Sequence, residues 1–224
     1  MGAALVVNDY TRSFEPVSDL TQPDRLSTIV NRFSTCYQQP EPRAVASQWS
    51  KLYFSKLIIP SVAASLMLDW RLPLNLHDTG IILDELGRPE AFRLAHSGFA
   101  SPSQTTEERF SCVIDAHIAP VIDAIARVSG LSRKVLWSNA GNIVENVVSF
   151  CETSAPAKNS VEQARKFLGT RQLSNGETNR LFEPVRYPEM NGAPVRKRRV
   201  CCIRYLIPSL GYCKTCPRLK DRLT

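Results

Sequence analysis

Apolar positions recur at helical spacing in residues 22–37, QPDRLSTIVNRFSTCY, where Leu26, Ile29, Val30 and Phe33 fall on one face. A second helical stretch is expected from about Val45 to Trp70, with Trp49, Leu52, Tyr53 and Leu57 on one stripe. Pro60 lies inside that stretch and removes a helical N–H, so a kink or a split is expected there. The period then changes. Ile81, Ile82 and Leu83 lead into Gly87-Arg88-Pro89, and Phe92 and Leu94 alternate afterwards, which predicts a β-hairpin.

Beyond a polar loop at Ser101 to Thr106, Thr105 and Glu108 have the spacing of a capping box ahead of a long helix over about 106–129. Phe110, Val113, Ile114, His117, Val121 and Ile125 are its expected buried side, and Gly130 its stop. Ser132 caps a further helix, SRKVLWSNAGNIVENVVSFCE, running to about residue 152. A linker with Pro156, a short helix at 160–168 and a turn at Asn175-Gly176 come next, and Pro184, Pro188 and Pro194 break up the approach to the C-terminus. These elements predict an α+β fold: a predominantly helical body over 1–193 with a small antiparallel hairpin or sheet, and a short segment over 194–224 that depends on a metal.

Composition leaves this picture in place, with 43% hydrophobic and 22% charged residues. The N-terminus MGAALVVNDY has no basic, apolar signal-peptide pattern, and Val6 stands where a myristoylation signal needs Ser or Thr. The apolar run Leu57 to Leu68 is too short to span a bilayer, so the expectation is a cytoplasmic protein without a transmembrane segment, at most peripheral to the membrane.

Charge does change the picture. From Pro194 to Thr224 there are nine Lys or Arg against one acid, a net of +8, so the remainder of the +7 chain is close to neutral. The same segment reads VCCIRYLIPSLGYCKTC, with Cys201 and Cys202 adjacent and Cys213 and Cys216 in a C-x-x-C pair. Clustered cysteines in a reducing compartment bind metal or do redox work more often than they form disulfides. A zinc ribbon asks for two C-x-x-C turns, and adjacent side chains in extended backbone point in opposite directions, so one ion does not easily take both Cys201 and Cys202. A [2Fe-2S] cluster spreads four thiolates over two irons, and its net negative charge would be offset by Arg198, Arg199, Arg204 and Lys214. Spacing and charge favour the iron–sulfur reading, with zinc and disulfides as the alternatives. Cys36, Cys112 and Cys151 lie singly in helical segments and are expected to be buried small hydrophobes.

The spacing C-C-x10-C-x2-C, with Arg198-Arg199 before it and Arg204-Tyr205 after the cysteine pair, resembles the C-terminal cluster motif of FhuF-type ferric siderophore reductases. LWSN at 136–139, Trp49 and Tyr53 leading to IPS at 59–61, and SNGETNRLF at 174–182 are similar to segments of the same family, so the likeness covers roughly 45–220. The resemblance implies that Cys201, Cys202, Cys213 and Cys216 hold a [2Fe-2S] cluster that passes one electron to Fe(III) in a siderophore, of hydroxamate type. Reducing equivalents would come from an external donor, a ferredoxin or an NAD(P)H-dependent reductase, because no G-x-G-x-x-G occurs among the ten glycines.

Trp137, Ser138 and Asn139 are candidates for a substrate pocket, against the plainer reading that Trp137 packs in the core and Asn139 caps backbone. Arg204 and Tyr205 would touch an anionic ligand or solvate the cluster's charge. His77, His96 and His117 show no metal-ligand spacing and are expected to be structural. Arg196 to Arg199 beside the cysteines could instead mark a zinc module on nucleic acid, but the cysteine spacing fits no zinc-finger pattern and the body supplies no second basic surface. A non-redox siderophore binder with a structural cluster is the third reading.

Overall fold

The structure, a computed structural model, describes residues 3–7, 11–102, 105–154, 158–190 and 192–219. The expected linker at Pro156 and the basic residues beyond 219 lie outside the described residues. Two helices precede the predicted hairpin: α1 (Pro23–Ser34) buries Leu26, Ile29, Val30 and Phe33 as its periodicity requires, and α2 (Pro42–Leu68) runs through the centre of the molecule. Glu41 caps α2 by accepting from the Ala44 N–H at 2.9 Å. Pro60 does not split α2. The helix stays continuous, and the Ser61 hydroxyl donates to the Leu57 carbonyl at 2.6 Å in the turn that the proline perturbs.

Trp49, Tyr53 and Leu57 form the buried stripe, whereas Leu52 is exposed. Neighbouring residues on a helix differ by about 100°, so Leu52 stands to one side of a stripe that advances by fours. As a whole, α2 is longer than the apolar run read from the sequence and is long and apolar enough to cross a membrane. In this fold its Trp49, Tyr53, Phe54, Leu57, Ile58 and Leu66 are fully enclosed in the core.

The predicted hairpin is present as β4 (Thr79–Leu83) and β5 (Pro89–Leu94), paired antiparallel with Ile81 opposite Phe92. It follows a first short pair partner, β3 (Trp70–Arg71), which joins β6 (Phe99–Ala100) in a two-stranded ribbon. Two N-terminal strands complete the main sheet: β1 (Leu5–Val7) lies parallel to β5, and β2 (Glu15–Pro16) antiparallel to β4, in the order β1-β5-β4-β2. The hairpin turn is fixed to α2 by the Trp49 indole, which donates to the Gly87 carbonyl at 2.8 Å. Gly87 has φ +75°, and a side chain there would meet the Ile29 carbonyl at 2.8 Å, so both conformation and space call for glycine.

The long helix expected over 106–129 occurs as α3 (Thr106–Val113), a π-turn at Ile114–Ile118 and α4 (Ala119–Ser129). Thr105 and Glu108 form the capping box, and Gly130 ends α4 at φ 66°. His117 sits inside the π-turn, fully buried between the Tyr53 hydroxyl and the Leu74 carbonyl, each at 2.6 Å. α5 (Arg133–Ser154) packs along α2, and α6 (Asn159–Gly169) packs on α5. The C-terminal part contributes β7 (Val185–Arg186), a small hairpin of β8 (Glu189–Met190) with β9 (Ala193–Pro194), and β10 (Lys197–Arg198), which pairs antiparallel with β7. The result is an α+β fold of mainly helical content, as expected. Of the lone cysteines only Cys151 is buried; Cys112 is half-buried and Cys36 is exposed, because α1 ends at Ser34 and releases it from the packed face.

Candidate metal centre

The four C-terminal cysteines are brought to one place by a chain reversal. β10 is held by β7 on one side, and the Arg198 N–H donates to the Thr215 carbonyl at 2.8 Å on the other. The backbone passes Cys201 and Cys202, turns at Ile203 in the left-handed region (φ 51°), and runs through a short 3-10 turn at Arg204–Leu206. That conformation is rare for a β-branched residue and redirects the chain directly after the cysteine pair. Ile207 is fully buried against the core, and the C-x-x-C turn is closed by the Cys216 N–H donating to the Cys213 carbonyl at 3.0 Å.

The thiols meet in two pairs. Cys201 Sγ lies 3.7 Å from Cys216 Sγ, and Cys202 Sγ lies 3.9 Å from Cys213 Sγ. A disulfide bond is about 2.05 Å, so neither pair is one. Two thiolates on one tetrahedral ion, with metal–sulfur bonds of about 2.3 Å, stand about 3.8 Å apart. Each pair therefore has the spacing of two ligands on a single metal. Among the described residues no three His, Cys, Asp or Glu converge as a one-ion site requires. Two pairs rather than one tetrad suit a two-metal cluster better than zinc. Each pair contains one buried member, Cys216 or Cys202, and one partly open to solvent.

Cations surround Cys202. Lys51 on α2 places its ammonium 3.7 Å from Cys202 Sγ. The Cys202 thiol is pushed down to about 4, first by its hydrogen bond with Cys213 and further by the charges of Lys51 and Arg198; Cys213, its neutral partner, is pushed up. Burial pushes Cys201 up to about 11. The Ser47 hydroxyl, also on α2, donates to the Cys202 carbonyl at 2.7 Å and ties the cysteine pair to the central helix.

Arg198 is buried, and its guanidinium donates to Asn139 Oδ1 at 2.5 Å and to the Ser138 hydroxyl at 3.3 Å. Asn139 in turn donates to the Ser47 carbonyl at 3.2 Å and to the Ser50 hydroxyl at 3.0 Å, so it bridges α5, α2 and the cysteine segment. Of the predicted pocket residues, Ser138 and Asn139 are thus directly behind the metal site. Trp137 is not; it packs half-buried on the core with Arg180 over its ring at 5.1 Å.

Arg204 donates to the Leu210 carbonyl at 2.8 Å and holds the ten-residue loop closed. Tyr205 stacks on Tyr212 with ring centroids 5.1 Å apart, and Arg218 lies over Tyr205. Arg199 and Lys214 are exposed at the surface beside the site.

Sequence reasoning missed Lys51, Ser47 and Glu145. Glu145 on α5 is buried and accepts from Arg196, Arg165 and Tyr187, clamping the start of the basic segment to the body. Burial alone would raise its carboxyl, but the Tyr187 and Arg196 hydrogen bonds outweigh that and hold it below the usual range. One signal was available: Glu145 is the lone charge between Lys134 and Glu152 on α5.

Comparison with known proteins agrees with this geometry. A family model described as "Ferric iron reductase FhuF-like transporter" matches residues 47–195, and one described as "FhuF 2Fe-2S C-terminal domain" matches residues 198–218. A ferric siderophore reductase of Escherichia coli (strain K12) is 24% identical over 205 residues, covering 88% of this chain and 76% of its own length. The second match spans all four paired thiols and Arg198, and with the first it takes in most of the fold: the chain belongs to the FhuF-type ferric siderophore reductase family, whose C-terminal segment carries a [2Fe-2S] cluster.

Proposed function

We propose that this protein reduces Fe(III) held in a siderophore by one electron, in the cytoplasm, with Cys201, Cys202, Cys213 and Cys216 as the cluster ligands. The observation that carries this reading is the double pairing of sulfurs at 3.7 and 3.9 Å. It favours Cys201 with Cys216 on one iron and Cys202 with Cys213 on the other. The [2Fe-2S] group, when bound, supplies a one-electron carrier.

The residues of the chain do the rest. Lys51 and Arg198 set positive charge against the Cys202 side, which favours the more negative, reduced state. Hard siderophore oxygens hold Fe(III) far better than Fe(II), so a single electron loosens the metal without acid, base or nucleophile. The substrate class favoured by the family likeness is the hydroxamates. An external ferredoxin or NAD(P)H-dependent reductase re-reduces the protein, docking against the exposed Arg199, Lys214 and Arg218. The two matched spans meet near residue 196, which supports a body over 1–193 and a cluster-binding segment over 194–224.

Freshly isolated protein is expected to be red-brown, with iron and sulfide in equal amounts and bleaching by dithionite. Pre-reduced protein mixed with a ferric hydroxamate and an Fe(II)-trapping chelator should yield trapped Fe(II). No trapped Fe(II) overturns the reductase reading, and a colourless zinc protein overturns the cluster assignment.

A further inference from the structure

α2 and α5 leave between their outward edges a cleft of about 400 Å³. On α2 its lining advances by fours from Lys51 to Ile59, and on α5 it passes from Asn139 through Asn142 and Asn146 to Phe150. Such spacing gives each helix one continuous stripe along the cleft. The inner end abuts the metal site: Lys51 reaches Cys202 Sγ at 3.7 Å, and Asn139 accepts from Arg198 at 2.5 Å. At the outer end two large apolar side chains stand in solvent, Ile59 at 49% and Phe150 at 66% exposure.

We infer that this cleft is the seat of the ferric chelate, an inference that rests on the reductase reading above. Several features converge on that occupant. Among the described residues no carboxylate lines the cleft and the one charge is the Lys51 ammonium, so an anionic or neutral chelate is not repelled. Its volume lies within the range that holds small ligands. The Asn146 amide can donate to and accept from the amide and hydroxamate groups on such a chelate, the Asn142 amide, whose oxygen already accepts from Arg196 at 3.0 Å, can donate, and Ile59 and Phe150 cover its aliphatic linkers. The cleft between α3 and the segment 173–181 is a poorer seat: Glu107, Glu108, Asp115 and Glu177 outnumber Arg180 in its lining, and none of its lining residues is a cluster cysteine. Lys51 both lines the α2–α5 cleft and reaches Cys202 Sγ.

The test uses holoprotein and a gallium(III) tris-hydroxamate, which keeps the shape of the ferric chelate and accepts no electron. Ile59→Trp fills the outer end, and Phe150→Glu places a carboxylate in the wall; both positions are exposed, and the visible spectrum of the cluster reports an intact fold. Each variant should bind the gallium chelate about tenfold more weakly by calorimetry and release Fe(II) from the ferric chelate correspondingly more slowly at low chelate concentration. Lys166→Ala, in a different cleft beside α6, should behave as wild type. Wild-type affinity in both cleft variants places the seat elsewhere and leaves the reductase reading intact. Cleft-dependent gallium binding without Fe(II) release keeps the seat and removes the reductase reading. Failure of wild-type holoprotein to bind the gallium chelate overturns the inference.

Discussion

Lys51 and Arg198 reach Cys202 from positions 151 and 4 residues away in sequence, one from the middle of the longest helix and one from the strand before the site. Lys51→Met keeps the length and packing of the stem and removes the charge. The midpoint potential of the holoprotein should fall by roughly 50 mV, because a nearby cation favours the reduced state. A redox titration that finds the wild-type midpoint would show this ammonium to be fully compensated. His117 makes a second prediction. Burial pushes it down to about 4 from its ordinary 6.5, so between those values the unfolded chain binds a proton that the folded one does not. Stability should therefore fall as pH drops through that window, by about 1.4 kcal/mol per unit. In His117→Gln, denaturant titrations at pH 5 and 6 should show that slope diminished, though the variant starts less stable. The candidate metal site could be read from four cysteines and their charge. Asn139 behind it was also singled out, but Lys51 and Ser47 were not, since they join the site through contacts across the fold that no local spacing encodes.

Among the elements, α5 is where packing overrides propensity. Alanine suits a helix interior better than glycine by about 1 kcal/mol. At Gly141, however, an added Cβ would stand 2.7 Å from the Pro184 side chain. The Pro184 carbonyl accepts from the Arg199 N–H at 3.0 Å, so displacing it moves Arg199 and the adjoining strand pair that carries Arg198. Gly141→Ala should lower stability by about 1–3 kcal/mol, read as a fall in the thermal midpoint. A raised midpoint would mean that the segment yields without strain. Helices and the hairpin were readable because their apolar periods extend over many residues. β1, β2 and the C-terminal ribbons were not, since strands of two or three residues have no period to read and owe their existence to partners distant in sequence. The same applies to the π-turn, whose extra residue leaves Phe110, Ile114, His117 and Val121 all buried and so hides in the pattern.

At the scale of the molecule, charge is divided between a nearly neutral body and a C-terminal segment of net +8. An acidic electron donor should accordingly be steered to the cluster face. Its rate of reducing this protein should fall about tenfold between low salt and about 0.5 M, as measured by stopped flow. A rate indifferent to salt would remove the docking role of the exposed Arg199 and Lys214. The interlocked sulfurs carry a different consequence. Cys201 meets Cys216 and Cys202 meets Cys213, so each pair draws one thiol from either end of the intervening ten-residue loop. On the proposed ligand assignment neither end supplies both thiolates of one iron, as an ordinary C-x-x-C turn would. On that assignment loading should be all or none: iron titrated into the apoprotein is expected to give iron-free and two-iron forms by native mass spectrometry, and a populated one-iron form would break the pairing.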